Sequence, residues 1–316
     1  MRVAILLAAL LLAFQSRQSD TQPLVDHHQH LSSQATIRLA PAFHLLDAAD
    51  LIAHLDAAGI RRAAVLSSAY QFGNPNRPPV ENEYAQVKAE NDWTSEQVAR
   101  FPDRLRGFCG GNPLKDYALG ELARCAKDRW LHFGLKLHFG NSDVDLDNPE
   151  HVQQLRRVFR AANDYGMAVA IHMRSSVTRQ RPYGANEARV FLNEVLPAAP
   201  DAPVQIAHLT GAGGYDDPST DQALSVFTDA IAGHDPRMTH VYFDVSGIAG
   251  YGAWTDKAGL IATRIRQLGV RRILYGSDSA NAGGLAPREA WAKFLQLPLS
   301  DGEFRAIAEN VAPYMR

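Results

Sequence analysis

The stretch LVDHHQHL, residues 24–31, places three of the chain's 12 histidines beside an aspartate. Side chains alternate between the two faces of a β-strand, so we expect Asp26, His28 and His30 on one face and His27 on the other. Two imidazoles one pleat apart can reach a common ion. The stretch therefore indicates a metal site, although a polar strand end that is rich in histidine for no chemical reason would read the same way.

Later segments that read as strands also end in polar residues, each alternating with large apolar ones. The residues are Lys136 and His138 of FGLKLHF (133–139), His172 of MAVAIHM (167–173) with Arg174 just after it, His208 of VQIAHL (204–209) and Asp278 of RILYGSDS (272–279). A single inward histidine is usually a buried core residue, but so many titratable side chains at strand ends are hard to explain by packing. Neutral imidazole and carboxylate groups bind divalent metal ions, which lower the pKa of bound water to about 7.

Short apolar strands alternate with amphipathic helices along the whole chain after residue 23. Further strands are predicted at 61–68, 105–111 and 241–246, and clear helical patterns that end in glycine lie at 48–59 and 151–166. Eight strands that alternate with helices predict a parallel α/β sheet closed into a (β/α)8 TIM barrel. We expect a single domain over residues 21–316, with the polar residues at the C-terminal ends of the strands, where this fold carries its active sites.

The order of these motifs resembles that of the amidohydrolase superfamily. VDHHQH is similar to its Asp-x-His-x-His opening, and AIHM, IAHLTG and YGSD follow in the order of its later signatures. GSD and the segment IAENVAPYM (307–315) most resemble the amidohydrolase-related branch that contains aminocarboxymuconate semialdehyde decarboxylase and several lactonases. The resemblance runs from about residue 23 onward, and it is specific to the superfamily but not to a substrate.

The resemblance implies a role for each matching residue. His28, His30, His172 and Asp278 would bind a divalent metal ion, most often one Zn²⁺. His208 would contact the substrate or the attacking water. Asp278 would also act in catalysis, because its carboxylate can take a proton from the bound water and return it to the leaving group.

Three further residues have open roles. In binuclear branches of the superfamily a lysine at the position of Lys136 is carboxylated and bridges two metals. Otherwise Lys136 would bind the substrate or be a charged partner of Asp244 or Asp278. His138 is predicted to contact the substrate at the rim of the site rather than a metal. Arg174 could bind a substrate carboxylate through its forked donors, or form a salt bridge in a loop.

These residues support two enzymatic functions. The first is a metal-dependent hydrolase that cleaves an amide, lactone or related ester with a metal-activated water. The alternative is a lyase, a non-oxidative decarboxylase of an aromatic or unsaturated acid, which uses the same metal ligands. A related DNase would carry a glutamate where this chain has Lys136, and a barrel that only binds ligands would lack a metal ligand.

The composition and charge of the chain indicate which kind of molecule it binds. The chain has 316 residues, of which 46% are hydrophobic and 21% charged, with a net charge of −2. This is typical of a globular protein and gives no electrostatic reason to expect nucleic acid. We expect a small-molecule substrate, with a homo-oligomer as an open possibility.

Residues 1–20 have the pattern of a secretory signal peptide. A short positive start is followed by twelve apolar residues, Val3 to Phe14, and by the polar segment QSRQSD. Twelve residues are too few to span a bilayer, which takes about 20. The pattern predicts export to the periplasm or beyond with no stable membrane association after cleavage, although an uncleaved anchor or a misassigned start stays open.

The chain has two cysteines, Cys109 on a predicted strand and Cys125 on the helix that follows. An exported protein could join them. Buried free thiols are the commoner state for such positions, so we predict two unpaired cysteines.

Overall fold

Eight parallel strands pair in chain order in the computed structural model, which describes residues 21–44, 46–215, 217–250, 254–280 and 284–316. The strands are β1 (Val25–Gln29), β2 (Arg62–Leu66), β3 (Leu105–Gly110), β4 (Gly134–His138), β5 (Ala168–His172), β6 (Val204–Ile206), β7 (Val241–Asp244) and β8 (Ile273–Leu274). Backbone hydrogen bonds from His27 N to Tyr275 O (2.8 Å) and from Asp278 N to His28 O (2.9 Å) join the last strand to the first. The predicted single-domain TIM barrel is confirmed, while the predicted signal peptide, residues 1–20, lies outside the described residues.

Helices follow the strands and cover the outside of the barrel. In the described ranges they are α1 (Gln34–Leu39), α2 (Ala48–Ala58), α3 (Glu83–Ala99), α4 (Ala118–Cys125), α5 (Phe139–Ser142), α6 (Pro149–Asp164), α7 (Ala185–Val190), α8 (Pro218–Ala232), α9 (Ala258–Leu268), α10 (Pro287–Phe294) and α11 (Asp301–Glu309). The helices predicted at 48–59 and 151–166 are thus present, α2 between a capping box at Asp47 and a left-handed Gly59. None of the helices in these ranges is both long and apolar enough to cross a membrane.

The lower end of the barrel interior is filled by apolar side chains. Phe108 of β3 and Leu274 of β8 pack there against segment 311–315, whose Tyr314 ring meets Phe108 edge-on at 5.0 Å between centroids. Gly134 makes room for this packing, because a Cβ at that position would lie 2.2 Å from the Phe108 ring. We call this layer the barrel floor; it leaves the opposite end, where the strands end, open for polar residues.

All eight strands are shorter than the sequence predicts, and β6 and β8 lose the most residues at their C-terminal ends. β6 ends at Ile206 rather than at residue 209, and β8 ends at Leu274 rather than at residue 279. The backbone of His208, with φ of +54°, and that of Asp278, with φ of +53°, lie in the left-handed region, which cannot continue a strand. Such conformations cost about 1–3 kcal/mol each and collect at functional sites.

The prediction of two free cysteines is wrong, because Cys109 and Cys125 form a disulfide. Cys109 lies on the outward face of β3, and Cys125 is the last residue of α4, the helix that packs against that face. Their Cα atoms are 6.0 Å apart, a separation that a disulfide spans. The sequence placed both residues on the correct elements but could not give the distance between them.

Candidate metal centre

A β-bulge in β1 decides which of its residues face the site. Residues 26 to 29 of β1 span the same length as residues 63 to 65 of β2, so one residue is extra. The simple alternation predicted for Asp26 is therefore wrong: its carboxylate accepts hydrogen bonds from Gln29 and Ser277, away from the barrel interior. His28 and His30 point into the barrel as predicted. The prediction of His27 on the opposite face is wrong, because its ring contacts Ala312 and Tyr314 of the barrel floor.

Three imidazoles at the upper end of the barrel share one arrangement. Each directs Nδ1 at an acceptor: His28 at Asp244 Oδ2 (2.9 Å), His30 at the Leu66 carbonyl (2.6 Å) and His208 at the Ser246 carbonyl (2.8 Å). Because carbonyl and carboxylate oxygens can only accept, Nδ1 carries the proton in each ring and Nε2 keeps a lone pair. Metal-binding histidines are held in this way in proteins.

Asp278 completes the group from the segment after β8. One of its oxygens lies 3.9 Å from His30 Nε2, and the other lies 4.0 Å from His208 Nε2. Ligand atoms of His28, His208 and Asp278 all lie within 4.8 Å of one another. Imidazole nitrogens that carry lone pairs and a carboxylate are ligands that first-row divalent metals accept, so these residues fit a metal ion.

Burial keeps these histidines neutral. Burial lowers the pKa of His28 to about 3, with a further contribution from the nearby Lys136. Burial also lowers the pKa of His208, and it lowers that of His30 well below the usual value. A neutral imidazole is the form that binds metal, so the site needs no proton release from these rings when an ion enters.

His172 and His138 lie side by side in the same cavity. Their rings stack at 3.8 Å between centroids, and the ring of His172 is 5.1 Å from that of His208. Nδ1 of His138 accepts a hydrogen bond from the Asn141 amide at the start of α5, so its proton is on Nε2. His138 is therefore arranged to donate a hydrogen bond from Nε2 rather than to bind metal through it, and its contact with the substrate stays a prediction.

Lys136 lies at the centre of the group. It is buried, and its Nζ is 3.2 Å from His28 Nε2. Burial lowers the pKa of Lys136 to about 8, against the opposing effect of Asp278 and Asp244. Lys136 is thus close enough to both aspartates for their charges to act on it, which fits a charged partner, and its lowered pKa fits the carboxylated metal bridge.

These residues line a cavity of about 360 Å³ that also contains Phe43, Tyr70 and Arg77. Arg174, predicted as a possible clamp, instead pairs with Asp217 at 2.7 Å, which is the loop salt bridge left open as its alternative. Arg77, in the loop after β2, lines the cavity, and its Nη1 donates to the Leu39 carbonyl. Sequence reasoning missed Arg77 because loops carry no periodicity, although the turn-rich stretch at 72–80 contains a single arginine.

The amidohydrolase family model matches residues 25–312, nearly the whole described chain. The chain belongs to the amidohydrolase family. The resemblance read from VDHHQH and the later motifs is thus confirmed, and no curated protein sequence matched the chain.

Solved structures with the same fold include both decarboxylases and a hydrolase. A 2,6-dihydroxybenzoate decarboxylase from Rhizobium is 17% identical over 91% of this chain and 96% of its own, with a TM-score of 0.62. A dihydroxybenzoic acid decarboxylase from Polaromonas, with bound manganese, is 16% identical over 91% and 95%, with a TM-score of 0.62. A probable 2-pyrone-4,6-dicarboxylic acid hydrolase from Acinetobacter baumannii is 17% identical over 90% and 95%, with a TM-score of 0.59.

Proposed function

We propose that this amidohydrolase-family protein is a metal-dependent decarboxylase that removes CO₂, without oxidation, from a small aromatic or unsaturated carboxylic acid. The observation that carries the proposal is the composition of the cavity. Buried histidines and Asp278 line one cavity together with Arg77 and the aromatic residues Phe43 and Tyr70. The two decarboxylases of similar fold support this reading over the hydrolase that the sequence alone put first.

The cavity suits a flat anionic substrate. Its volume of about 360 Å³ is at the small end of ligand pockets. Phe43 and Tyr70 can contact the faces and edges of a ring, while Arg77 can pair with a carboxylate through parallel N–H donors. His138 can donate its Nε2 proton to a further oxygen of the substrate.

The metal ion is expected to be one Mn²⁺ or Zn²⁺ per chain, held by His28, His30, His172 and Asp278, with His208 beside it to contact the substrate. The sequence favours zinc through the resemblance, whereas a decarboxylase of similar fold contains manganese. A bound divalent ion would supply positive charge that stabilises the electron-rich form of the substrate. A second ion held by a carboxylated Lys136 stays an alternative.

Asp278 is proposed to move the proton. When the bond between the ring carbon and the carboxylate breaks, CO₂ leaves and the electron pair stays on the carbon. A proton must then be delivered to that carbon to form the C–H bond. Asp278 faces the cavity and lies within 4.0 Å of His208, so it can hold this proton while His208 positions the substrate.

Hydrolysis of a lactone or ester is the second candidate. The likeness to a probable pyrone dicarboxylate hydrolase favours it. Asp278 would then act on a water molecule instead of on a carbon atom, with the same neighbouring imidazoles.

A product assay separates the two reactions. The purified protein, loaded with Mn²⁺ or with Zn²⁺, would be incubated in D₂O with hydroxybenzoates and, separately, with lactones and esters. Decarboxylation gives CO₂ and a product with deuterium on the carbon that lost the carboxylate. The His28→Ala variant serves as the control for contaminating enzymes. Turnover of lactones with no loss of CO₂ from any acid would overturn the proposal in favour of hydrolysis.

We further propose that the protein is exported. The apolar stretch Val3 to Phe14 and the disulfide between Cys109 and Cys125 support this, because disulfides persist in oxidising compartments. Fractionation of cells that produce the full chain, with N-terminal sequencing of the product, tests it. An uncut product in the cytosol would contradict it.

A further inference from the structure

A continuous chain of hydrogen bonds joins the barrel floor to the candidate metal centre. At the lower end the Tyr314 hydroxyl contacts Gln205 Oε1. Gln205 Nε2 donates to Asp244 Oδ2 at 2.6 Å, and the same oxygen accepts from His28 Nδ1 at 2.9 Å. All four side chains are buried. The path links segment 311–315 to a predicted metal ligand through two intermediate residues.

The direction of each hydrogen bond is fixed by its acceptors. Gln205 Nε2 faces the Asp244 carboxylate and the His27 carbonyl, both of which can only accept, so the amide cannot be reversed. Its Oε1 therefore faces Tyr314, and the tyrosine hydroxyl must donate. Burial, together with the charge of Asp244, holds the pKa of Tyr314 well above its usual value, so the hydroxyl keeps its proton.

Asp244 connects this series of hydrogen bonds to the candidate metal centre. Its Oδ1 accepts from the His208 amide at 3.0 Å and from the Ser246 hydroxyl at 2.5 Å, while Oδ2 serves His28 and Gln205. A carboxylate with so many fixed donors has one orientation only. Groups that hold a metal-binding histidine in this way tune its orientation and basicity.

We propose that Tyr314 and Gln205 are positioning residues of the metal centre. Tyr314 holds the Gln205 amide, Gln205 holds the carboxylate of Asp244, and Asp244 turns Nε2 of His28 towards the metal. The barrel floor is then part of the machinery that sets metal affinity. This inference rests on the proposed metal site but not on which reaction the site catalyses.

The test compares two removals of a buried tyrosine hydroxyl. Tyr314→Phe should weaken Mn²⁺ binding by about 3- to 10-fold, the effect of one lost hydrogen bond, as measured by electron paramagnetic resonance of free Mn²⁺. Tyr275→Phe is the matched control: its hydroxyl is also buried and donates to the Pro287 carbonyl, outside the chain of bonds. It should lower thermal stability to a similar degree and leave Mn²⁺ affinity unchanged.

Two further measurements make the result specific. In a Gln205→Met background, Tyr314→Phe should cause no additional loss of Mn²⁺ affinity, because the path is already cut. In the metal-free protein, the Nδ1–H resonance of His28 should shift in Tyr314→Phe and not in Tyr275→Phe. Equal Mn²⁺ affinities in Tyr314→Phe and wild type, an unmoved resonance, or additive losses in the double variant would each overturn the proposal.

A wild-type protein without affinity for Mn²⁺ or other divalent ions would overturn both this inference and the proposed function. A protein that binds Mn²⁺ but decarboxylates nothing would overturn the function alone.

Discussion

The three histidines of residues 24–31 serve two purposes. His28 and His30 hold lone pairs towards the cavity, whereas His27 lies below them. His27 Nδ1 donates to the Tyr275 carbonyl, and its Nε2 accepts from the amide of Ala312 at 3.2 Å. Burial lowers the pKa of His27 to about 4, so the ring stays neutral and can make both bonds. His27 is therefore a structural residue that ties β1 to the barrel floor.

We predict that Asp278→Asn abolishes turnover more completely than metal binding. Asparagine keeps an oxygen that can face the metal, and the histidines remain. What is lost is a carboxyl group that can hold a proton, and general acid–base catalysis of this kind contributes about 10²- to 10⁴-fold in rate. Metal content and kcat measured on the same preparations check this.

Two other variants serve as references for Asp278→Asn. His28→Ala should lose metal and activity together, while His208→Ala should keep the metal and lose much of kcat. If Asp278→Asn turned over normally and His208→Ala were inactive, His208 rather than Asp278 would be the residue that transfers the proton.

We predict that Arg77→Gln raises KM for a carboxylate substrate by about 10- to 100-fold, the effect of a lost charge-assisted hydrogen bond, with a smaller change in kcat. Arg174→Gln is the matched control, because Arg174 is paired with Asp217 and is not among the described residues that line the cavity. It should lower thermal stability and leave KM unchanged. The reverse pattern would assign substrate binding to Arg174.

At the scale of elements, the sequence predicts best where strands are regular. In β5 the small Ala168 and Ala170 face the interior, the large Val169 and Ile171 face the helices, and His172 lines the cavity, as alternation predicts. The number and order of strands follow from the same periodicity. The ligand set that the resemblance implies is brought into one cavity, although the binding of each ligand stays a prediction.

Prediction fails where the backbone is irregular or the contact is distant. The bulge in β1 breaks the alternation between Asp26 and His28, so that they face opposite sides, and nothing in the pattern of residues 24–31 marks the extra residue. His208 reaches the cavity through a left-handed turn rather than as part of a strand. Arg77 enters from a loop, and the pairing of Cys109 with Cys125 depends on how α4 packs against β3. Each of these depends on tertiary geometry rather than on local sequence.

We predict that the oxidised protein, unfolded without reductant, has no titratable thiols. The disulfide closes a loop of 16 residues, and such a link contributes about 3 kcal/mol to the free energy of unfolding. Reduction, or the double substitution Cys109→Ala and Cys125→Ala, should therefore shift the denaturation midpoint downward. Two free thiols in protein purified from an oxidising compartment would contradict the bond.

For the whole molecule, we predict that chelation lowers the melting temperature and that Mn²⁺ restores it. An ion that binds only the folded state adds about 2.7 kcal/mol when its concentration is 100 times Kd. Elemental analysis of protein prepared without chelators should find about one divalent ion per chain. Two ions per chain would indicate the carboxylated form of Lys136. A melting temperature that changes with neither chelator nor added metal would contradict a metal centre.

The barrel floor has a consequence for how the chain is made. His27 accepts a hydrogen bond from Ala312, a residue 285 positions later. The lower end of β1 therefore cannot be covered until that part of the chain has been synthesised. At about 5–20 residues per second, His27 and its neighbours wait on the order of 15–60 s for this partner. During that time the apolar interior beside Val25 and Phe108 is open at one end. Chaperones that hold the chain during its synthesis, before the proposed export, have this interval to bind its exposed apolar segments, and a pause in translation before residue 311 would extend it.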